Sequence, residues 1–411
     1  MKVVLKVSIA FLVVSLQAFA QDKTLATYTK SLDLEKQGKI ATAIDVMKTL
    51  NDTTSYHYMV RMGWLYYKLN AFPESEDYYT GAINLEPNAI EPRYGFGFPG
   101  YAAGNTKDLL MHDKKVLEID PNHRTINANM GALLYYAKDY AGALPYLKKV
   151  VDMYPFDYDN NLLLGWTYFF LNKFPEAETH FNVVLLYAPT DASAQEGLGS
   201  IKKKTSNPEN VTAAFTKSYE LVELARTPDY KAAIEPLKEV YDKTSYFMNL
   251  RLGYLHYDAG MHVEAVDYFK IACELRPGAI EPKLGQALAL EMLGNKTELR
   301  AVYEAVLKIE TKNTYSHYKL GMLDYESKDY KSALSHFELI NKLYPSDIDG
   351  LLMMGWTNVQ LGNSDVSKSF FNRALCFSKN NESATKGLTA KPDAATAAKP
   401  KPASSAIIIK K

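Results

Sequence analysis

The stretch Ser55–Pro87 reads SYHYMVRMGWLYYKLNAFPESEDYYTGAINLEP. A glycine, Gly63, stands among aromatic and apolar residues. A second small residue follows at Ser75, then a ring at Tyr79 and a closing proline at Pro87. The register returns at a constant step: Gly97, Gly131 and Gly165 repeat the first position, and Pro121, Pro155 and Pro189 the last. Leu109, Ala143 and Ala177 take the place of Ser75, and Asp113, Leu147 and Phe181 that of Tyr79. A second series runs through Gly253, Ala287, Gly321 and Gly355, with Ala265, Leu299, Ala333 and Ser367 at the second small position. Phe269, Tyr303, Phe337 and Phe371 are its large residues. Pro277 and Pro345 close two of its repeats, and Thr311 and Lys379 replace proline in the others.

The step is about 34 residues, enough for two short helices and their turns. A small residue on each helix lets the pair approach closely. Proline stops one helix and suits the first turn of the next. Ser55, Asp157, Ser245 and Asp347 stand where the following helices need N-caps. The chain resembles the tetratricopeptide-repeat (TPR) family over roughly residues 25 to 388, through Gly63, Tyr66, Ser75, Tyr79, Ala82 and Pro87 and through Gly253, Ala265, Phe269, Ala272 and Pro277. Weaker repeats around Ile40, Ala43, Ile44 and Met47 and around Tyr230, Ala233, Ile234 and Leu237 open the two series. The resemblance implies an all-α, right-handed α-solenoid of about ten TPR helical hairpins, five in each half.

The halves align without a gap under one constant shift, which carries Ala89 onto Ala279. Ala89-Ile90-Glu91-Pro92 then matches Ala279-Ile280-Glu281-Pro282, Lys138-Asp139-Tyr140 matches Lys328-Asp329-Tyr330, and Gly165-Trp166-Thr167 matches Gly355-Trp356-Thr357. This is the signature of a duplicated five-repeat block, and it implies similar curvature in both copies. The expected organisation is a first block over 21–203 ending in a capping helix, a linker over 204–212 and a second block over 213–388. A disordered Lys/Pro/Ala-rich tail over 389–411 completes it. At the N-terminus, Lys2 and Lys6 precede an apolar run from Val7 to Leu16 and the small-x-small sequence Ala18-Phe19-Ala20. That order predicts a signal peptide over 1–20, and hence export to the periplasm or cell envelope of a Gram-negative bacterium.

Composition narrows the function. Lys+Arg and Asp+Glu both number 47, so no basic excess invites nucleic acid. Apolar residues make up 47%, which suits a folded chain. No transmembrane span is expected in the mature chain. The two cysteines, Cys273 and Cys376, lack Cys or His neighbours at metal-ligand spacing and read as small core residues. No nucleotide loop, zinc-protease motif or nucleophile elbow is present. The expectation is therefore no enzyme, no metal and no cofactor.

The TPR resemblance implies that partners bind in a concave groove lined by the first helix of each hairpin. Mapped through the small residues, the expected groove holds Arg61, Trp64, Tyr67, Tyr94, Phe98, Tyr101, Tyr135, Tyr136, Trp166, Phe169 and Phe170 in the first half. Arg251, Tyr254, Tyr257 and Trp356 follow in the second, alongside Phe247, Tyr315, Tyr318 and Tyr325. Aromatic side chains offer large contact area at low entropy cost, which suits a protein or peptide ligand. Filling the contact between neighbouring hairpins is the competing use for each ring. The clamp of Lys, Asn and Arg with which some family members grip a C-terminal carboxylate is not matched here, since Trp64, Phe98, Ala132 and Trp166 stand where it needs Asn. One helix departs from its duplicate: Gly95-Phe96-Gly97-Phe98-Pro99-Gly100 faces Gly285-Gln286-Ala287-Leu288-Ala289-Leu290. A proline inside a helix costs about 3 kcal/mol, so a kink exposing Phe98 and Tyr101 is expected there. The functional expectation is a non-catalytic protein-binding scaffold assembling an envelope complex. A glycan- or peptidoglycan-binding module, or a regulatory subunit of an envelope enzyme, is the alternative.

Overall fold

The computed structural model describes residues 23–103, 106–201 and 209–392. The expected signal peptide and nearly all of the tail lie outside the described residues. The first block pairs α1 (23–36) with α2 (Ile40–Lys48), α3 (Tyr56–Lys68) with α4 (Phe72–Leu85), and α5 (Glu91–Ala103) with α6 (Thr106–Ile119). It continues with α7 (Arg124–Tyr136) and α8 (Tyr140–Met153), then α9 (Tyr158–Phe170) and α10 (Phe174–Tyr187), and closes on α11 (Ala192–Ile201). The second block repeats the order: α12 (Glu209–Val222) and α13 (Tyr230–Glu239), α14 (Tyr246–Asp258) and α15 (His262–Leu275), α16 (Glu281–Leu293) and α17 (Lys296–Ile309). Then come α18 (Thr314–Glu326) and α19 (Tyr330–Leu343), α20 (Ile348–Gln360) and α21 (Ser364–Phe377), and a closing α22 (Glu382–Gly387). Among the described residues this is an all-α solenoid of ten hairpins in two five-hairpin blocks, as the period of the sequence predicts. Helix α12 opens at Glu209, inside the stretch expected as linker.

Local chemistry sets the helix ends. Ser55 Oγ accepts the Tyr58 amide at 3.3 Å, and Ser245 Oγ accepts that of Met248 at 3.3 Å. Asp157 accepts from Asn160 at 3.0 Å and Asp347 from Gly350 at 2.6 Å. Each satisfies a donor with no intrahelical partner. Lys138 and Lys328 hold φ of 63° and 67° at the turns inside their hairpins, where Gly260 and Gly362 each hold 78° at the equivalent step. The left-handed residue turns the chain so that the second helix folds back on the first.

Packing explains the small residues. The Phe181 ring is fully buried between α9 and α11. A Cβ added at Gly165 would lie 2.8 Å from it, and one at Gly197 2.4 Å. The ring is therefore wedged between a glycine of the helix before its own and a glycine of the helix after, joining one hairpin to the next element. Phe371 sits the same way between Gly355 and Gly387. Asp113 stands in the ring position of the third hairpin. It is 5% exposed, its Oδ2 has no hydrogen-bond partner, and burial pushes its carboxyl up to about 6. The backbone of α5 is helical through Pro99. The side chains of 98–109, Phe98 and Tyr101 among them, lie outside the described residues.

The chain forms two compact units, and each takes hairpins from both blocks. Among the described residues, unit 1 takes those up to 119 with those from 317 onward, and unit 2 those within 120–316. Within unit 1, Ile90 donates its amide to the Leu343 carbonyl at 2.8 Å, and Glu91 Oε2 accepts from the Ser346 amide at 3.0 Å and from Tyr56 Oη at 2.9 Å. The Pro345 carbonyl accepts from Arg373 at 3.0 Å. Tyr28 of α1 meets Phe377 of α21 edge-on at 6.2 Å, and Lys379 pairs with Asp33. Within unit 2, Ile280 donates to the Met153 carbonyl at 2.8 Å and Glu281 Oε2 accepts from the Phe156 amide at 3.1 Å.

Glu281 is 6% exposed, and burial pushes its carboxyl up to about 7, aided by Asp157 and opposed by Arg124 and Arg276. A folded-state pKa above the unfolded value means stability is full below about 4.5 and falls as pH rises towards 7. Glu281→Gln keeps the acceptor for Phe156. Its stability relative to the native chain should be near parity at pH 4.5 and higher by on the order of 2 kcal/mol at pH 8, read from urea unfolding at each pH. Phe181→Ala should cost about 3–5 kcal/mol in the same assay, because neither glycine can move in to fill the void.

Candidate partner-binding surface

The first helices α7 and α9 end in rings, and the left-handed turns bring the first residues of α8 and α10 beside them. In unit 2 this gathers Tyr135, Tyr136, Tyr140, Trp166, Phe169, Phe170 and Phe174 into one continuous set. Tyr140 stacks on Phe170 at 4.5 Å and Trp166 on Phe170 at 5.9 Å. Tyr135 meets Tyr140 at 5.6 Å, and Phe169 meets Phe174 at 5.7 Å. Trp166 is rooted in the core by an edge contact with Phe181 at 5.1 Å and by Nε1 donating to Ser193 Oγ at 2.8 Å. Outward, Tyr136 is 73% exposed, Phe170 44% and Phe174 37%. Large exposed rings on a buried base resemble the anchor-and-rim order of binding surfaces. The exposed turn residues Lys138, Asp139 and Lys173 flank the set.

The duplicate lacks this surface. Under the shift that relates the blocks, Tyr136, Phe169, Phe170 and Phe174 become Glu326, Val359, Gln360 and Ser364. Tyr325 and Tyr330 keep their edge contact at 5.3 Å. Trp356, placed in the groove by the sequence pattern, is instead 2% exposed, with Nε1 on Ser383 Oγ at 2.8 Å. The reason is burial of the middle of the helix on all sides: every residue of α20 from Gly350 to Val359 is buried, and Leu25 of α1 packs against its cluster. Helix α16 is covered likewise from Glu281 to Ala287. A helix apolar and buried all round is a core helix, and it offers no face to a ligand.

The other expected groove residues divide. Arg61 is 5% exposed, paired with Glu35 and donating to Ser31 Oγ at 3.0 Å, so it is an interior group and no surface cation. Arg251 spends both terminal nitrogens on Glu223, at 2.8 and 3.0 Å. Trp64 donates to Glu35 at 2.7 Å and lies against Tyr67, which reaches Phe72, forming a smaller aromatic group in unit 1. Tyr254 packs edge-on to Phe269 at 5.0 Å, and burial raises its hydroxyl far above the ordinary tyrosine value. Tyr257 lies on His262, Phe247 on Phe156 and Tyr318 on Phe337. Tyr94 and Tyr315 are half-buried. Tyr140 and Phe174 open second helices, so a pattern drawn on the first helices alone does not include them. The signal was the ring that opens the second helix in Phe72, Tyr140 and Phe174.

Among the described residues, no group of three or more His, Cys, Asp or Glu side chains could hold a metal ion, and no helix is long and apolar enough to cross a membrane. Burial pushes the Cys273 and Cys376 thiols up to about 11 and about 12, away from the reactive thiolate.

A tetratricopeptide-repeat family model matches residues 134–201, the segment that carries the ring set. The two hairpins covered there share their register with the other hairpins of the chain, which has the fold of tetratricopeptide repeats. It is 22% identical over 239 residues to the BBSome complex member bbs-4 of Caenorhabditis elegans, covering 54% of this chain and 51% of that one. It is also 22% identical over 339 residues to a CTR9 homolog of Arabidopsis thaliana, covering 74% of this chain and 30% of that one. The chain thus spans about half the length of the first relative and under a third of the second. Among solved structures, a crystal structure of MamA is 22% identical with a TM-score of 0.34, covering 37% of this chain and 90% of that one. Human IFIT1 is 16% identical with a TM-score of 0.28, covering 87% and 95%.

The rings differ in what they do for stability. Tyr136→Ala should change unfolding stability by less than about 0.5 kcal/mol, since its ring is mostly in water. Trp166→Ala should cost about 3–5 kcal/mol. Ser193→Ala should cost about 1 kcal/mol and shift the Trp166 emission, measured by fluorescence-detected urea unfolding.

Proposed function

We propose that this protein is a non-catalytic scaffold of the bacterial periplasm or cell envelope, holding partner proteins on the ring set of α7 to α10. The observation that carries the reading is the exposure of Tyr136, Phe170 and Phe174 in one block while the duplicate replaces the equivalent residues with Glu326, Gln360 and Ser364. Rings that served only packing between hairpins would be needed equally in both copies. A surface needed once for a ligand is free to be lost from the other copy. The nematode relative is by its name a BBSome complex member; membership of an envelope complex is what we propose for this chain. Export rests on the N-terminal order of Lys2, Lys6, the apolar run and Ala18-Phe19-Ala20.

The test uses the full chain as bait in envelope extracts beside Tyr136→Ala/Phe170→Ala/Phe174→Ala. Exposed aromatic anchors are worth about 2 kcal/mol or more each in binding, so the variant should retain its fold and lose at least about 30-fold in affinity for a stable partner. Equal capture by both proteins would exclude this surface. Retention on peptidoglycan fragments, with no protein captured, would favour the glycan-binding alternative. Cell fractionation with N-terminal sequencing should find the mature chain outside the cytoplasm, starting at Gln21.

A further inference from the structure

The sequence Ala-Ile-Glu-Pro occurs at 89–92 and at 279–282, each time at the head of the third hairpin of a block. Ile280 is the N-cap residue of α16 and makes no side-chain cap. The amide at the isoleucine is one that a helix start leaves without an intrahelical acceptor. In each unit that amide is satisfied from the other block: Ile280 by the Met153 carbonyl and Ile90 by the Leu343 carbonyl, both at 2.8 Å. The adjacent glutamate then accepts an amide just beyond that carbonyl, Phe156 for Glu281 and Ser346 for Glu91. Met153 and Leu343 are equivalent under the shift that relates the blocks, as are Phe156 and Ser346 and the two isoleucines. The acceptor corner is Met153-Tyr154-Pro155-Phe156 in the first block and Leu343-Tyr344-Pro345-Ser346 in the second, always between the fourth and fifth hairpins.

Each block therefore supplies both halves of a clasp, the Ala-Ile-Glu-Pro head and the Tyr-Pro corner, and receives both from its duplicate. A contact in which residue i meets j while the equivalent of j meets the equivalent of i is the mark of an isologous, self-complementary interface. Its apolar parts are excluded from water: Ala89 and Ile90 are each 1% exposed, Ala279 1%, Ile280 0%, Leu343 3% and Met153 5%.

We propose that the five-hairpin block is a self-recognition module, and that this chain exchanges blocks with a second copy of itself to form a swapped dimer through the same two clasps. Nothing in either clasp depends on both blocks belonging to one chain. The covalent connection only sets the local concentration at which they meet, on the order of millimolar for a short tether. Swapping reuses contacts the single chain already makes, so it needs no new surface. The ring set of α7 to α10 is a separate feature, and its role stands or falls independently.

The experiment uses two full-length forms with different affinity tags, mixed, unfolded in urea and refolded together. Refolding at about 1 mM should give particles of twice the chain mass carrying both tags, and refolding at about 1 μM should give single chains. A protease site placed between residues 203 and 208 and cut after folding should leave the two blocks eluting together. Glu91→Lys with Glu281→Lys should keep the helical circular dichroism, lower the mixed-tag fraction at least tenfold and let the nicked blocks part. Single chains at every concentration, separation of the nicked native blocks, or a dimer indifferent to the double substitution would each overturn the proposal. If the double variant does not fold, mixing and nicking of the native chain decide alone.

Discussion

The fold depends on one steric arrangement, a large side chain pressed between two backbones that carry no side chain at the point of contact. Phe181 between Gly165 and Gly197, and Phe371 between Gly355 and Gly387, show it in full. A helix approaches a ring this closely where its Cβ is missing or small, so a glycine or, as at Ala287 beside Tyr303, an alanine recurs at a fixed spacing from the ring. Each ring then touches its own hairpin and the next, and the stacking of hairpins follows without further instruction. The third hairpin shows the cost of departure: Asp113 occupies the ring position, and its carboxyl holds its proton to higher pH because burial withholds water from its charge.

Duplication gave two copies of this arrangement, and the copies differ in what lies over their helices. In the second, α16 and α20 are enclosed, by the corner at Met153 to Phe156 in unit 2 and by α1 in unit 1. In the first, α7 and α9 keep one side in water and carry rings to it. The same tryptophan illustrates both fates. Trp166 and Trp356 donate to equivalent serines at the same 2.8 Å, yet one anchors an exposed stack and the other is sealed at 2% exposure. Identical local bonding thus goes with opposite exposure, because the difference is made by what lies over the helix.

Several polar groups buried by the packing find partners far along the chain, although Asp113 Oδ2 does not. Glu91 and Glu281 are enclosed carboxylates that would be costly alone, and each accepts a backbone amide remote in sequence. Arg61 and Arg251 are bound to Glu35 and Glu223. An arginine on the first helix of a hairpin reads from sequence as a ligand-facing cation. Its acidic partner on the preceding hairpin was visible too, but no periodic rule singles that partner out.

What the sequence determined by itself was everything with a period. The repeat length, the ten hairpins, the duplication and the caps at Ser55, Asp157, Ser245 and Asp347 all follow from contacts between residues close in the chain, and such contacts leave a regular trace. Five members of the ring set, Tyr135, Tyr136, Trp166, Phe169 and Phe170, were legible for the same reason. Only the tertiary structure decided which first helices of the hairpins stay open. The burial of Trp356 and of α20 from Gly350 to Val359, the pairing of Ile280 with Met153, and the arrival of Tyr140 and Phe174 beside the rings of α9 depend on other elements folding over or beside a helix. Helix periodicity reports which residues share a face, but it carries no information on whether that face meets water or another part of the chain.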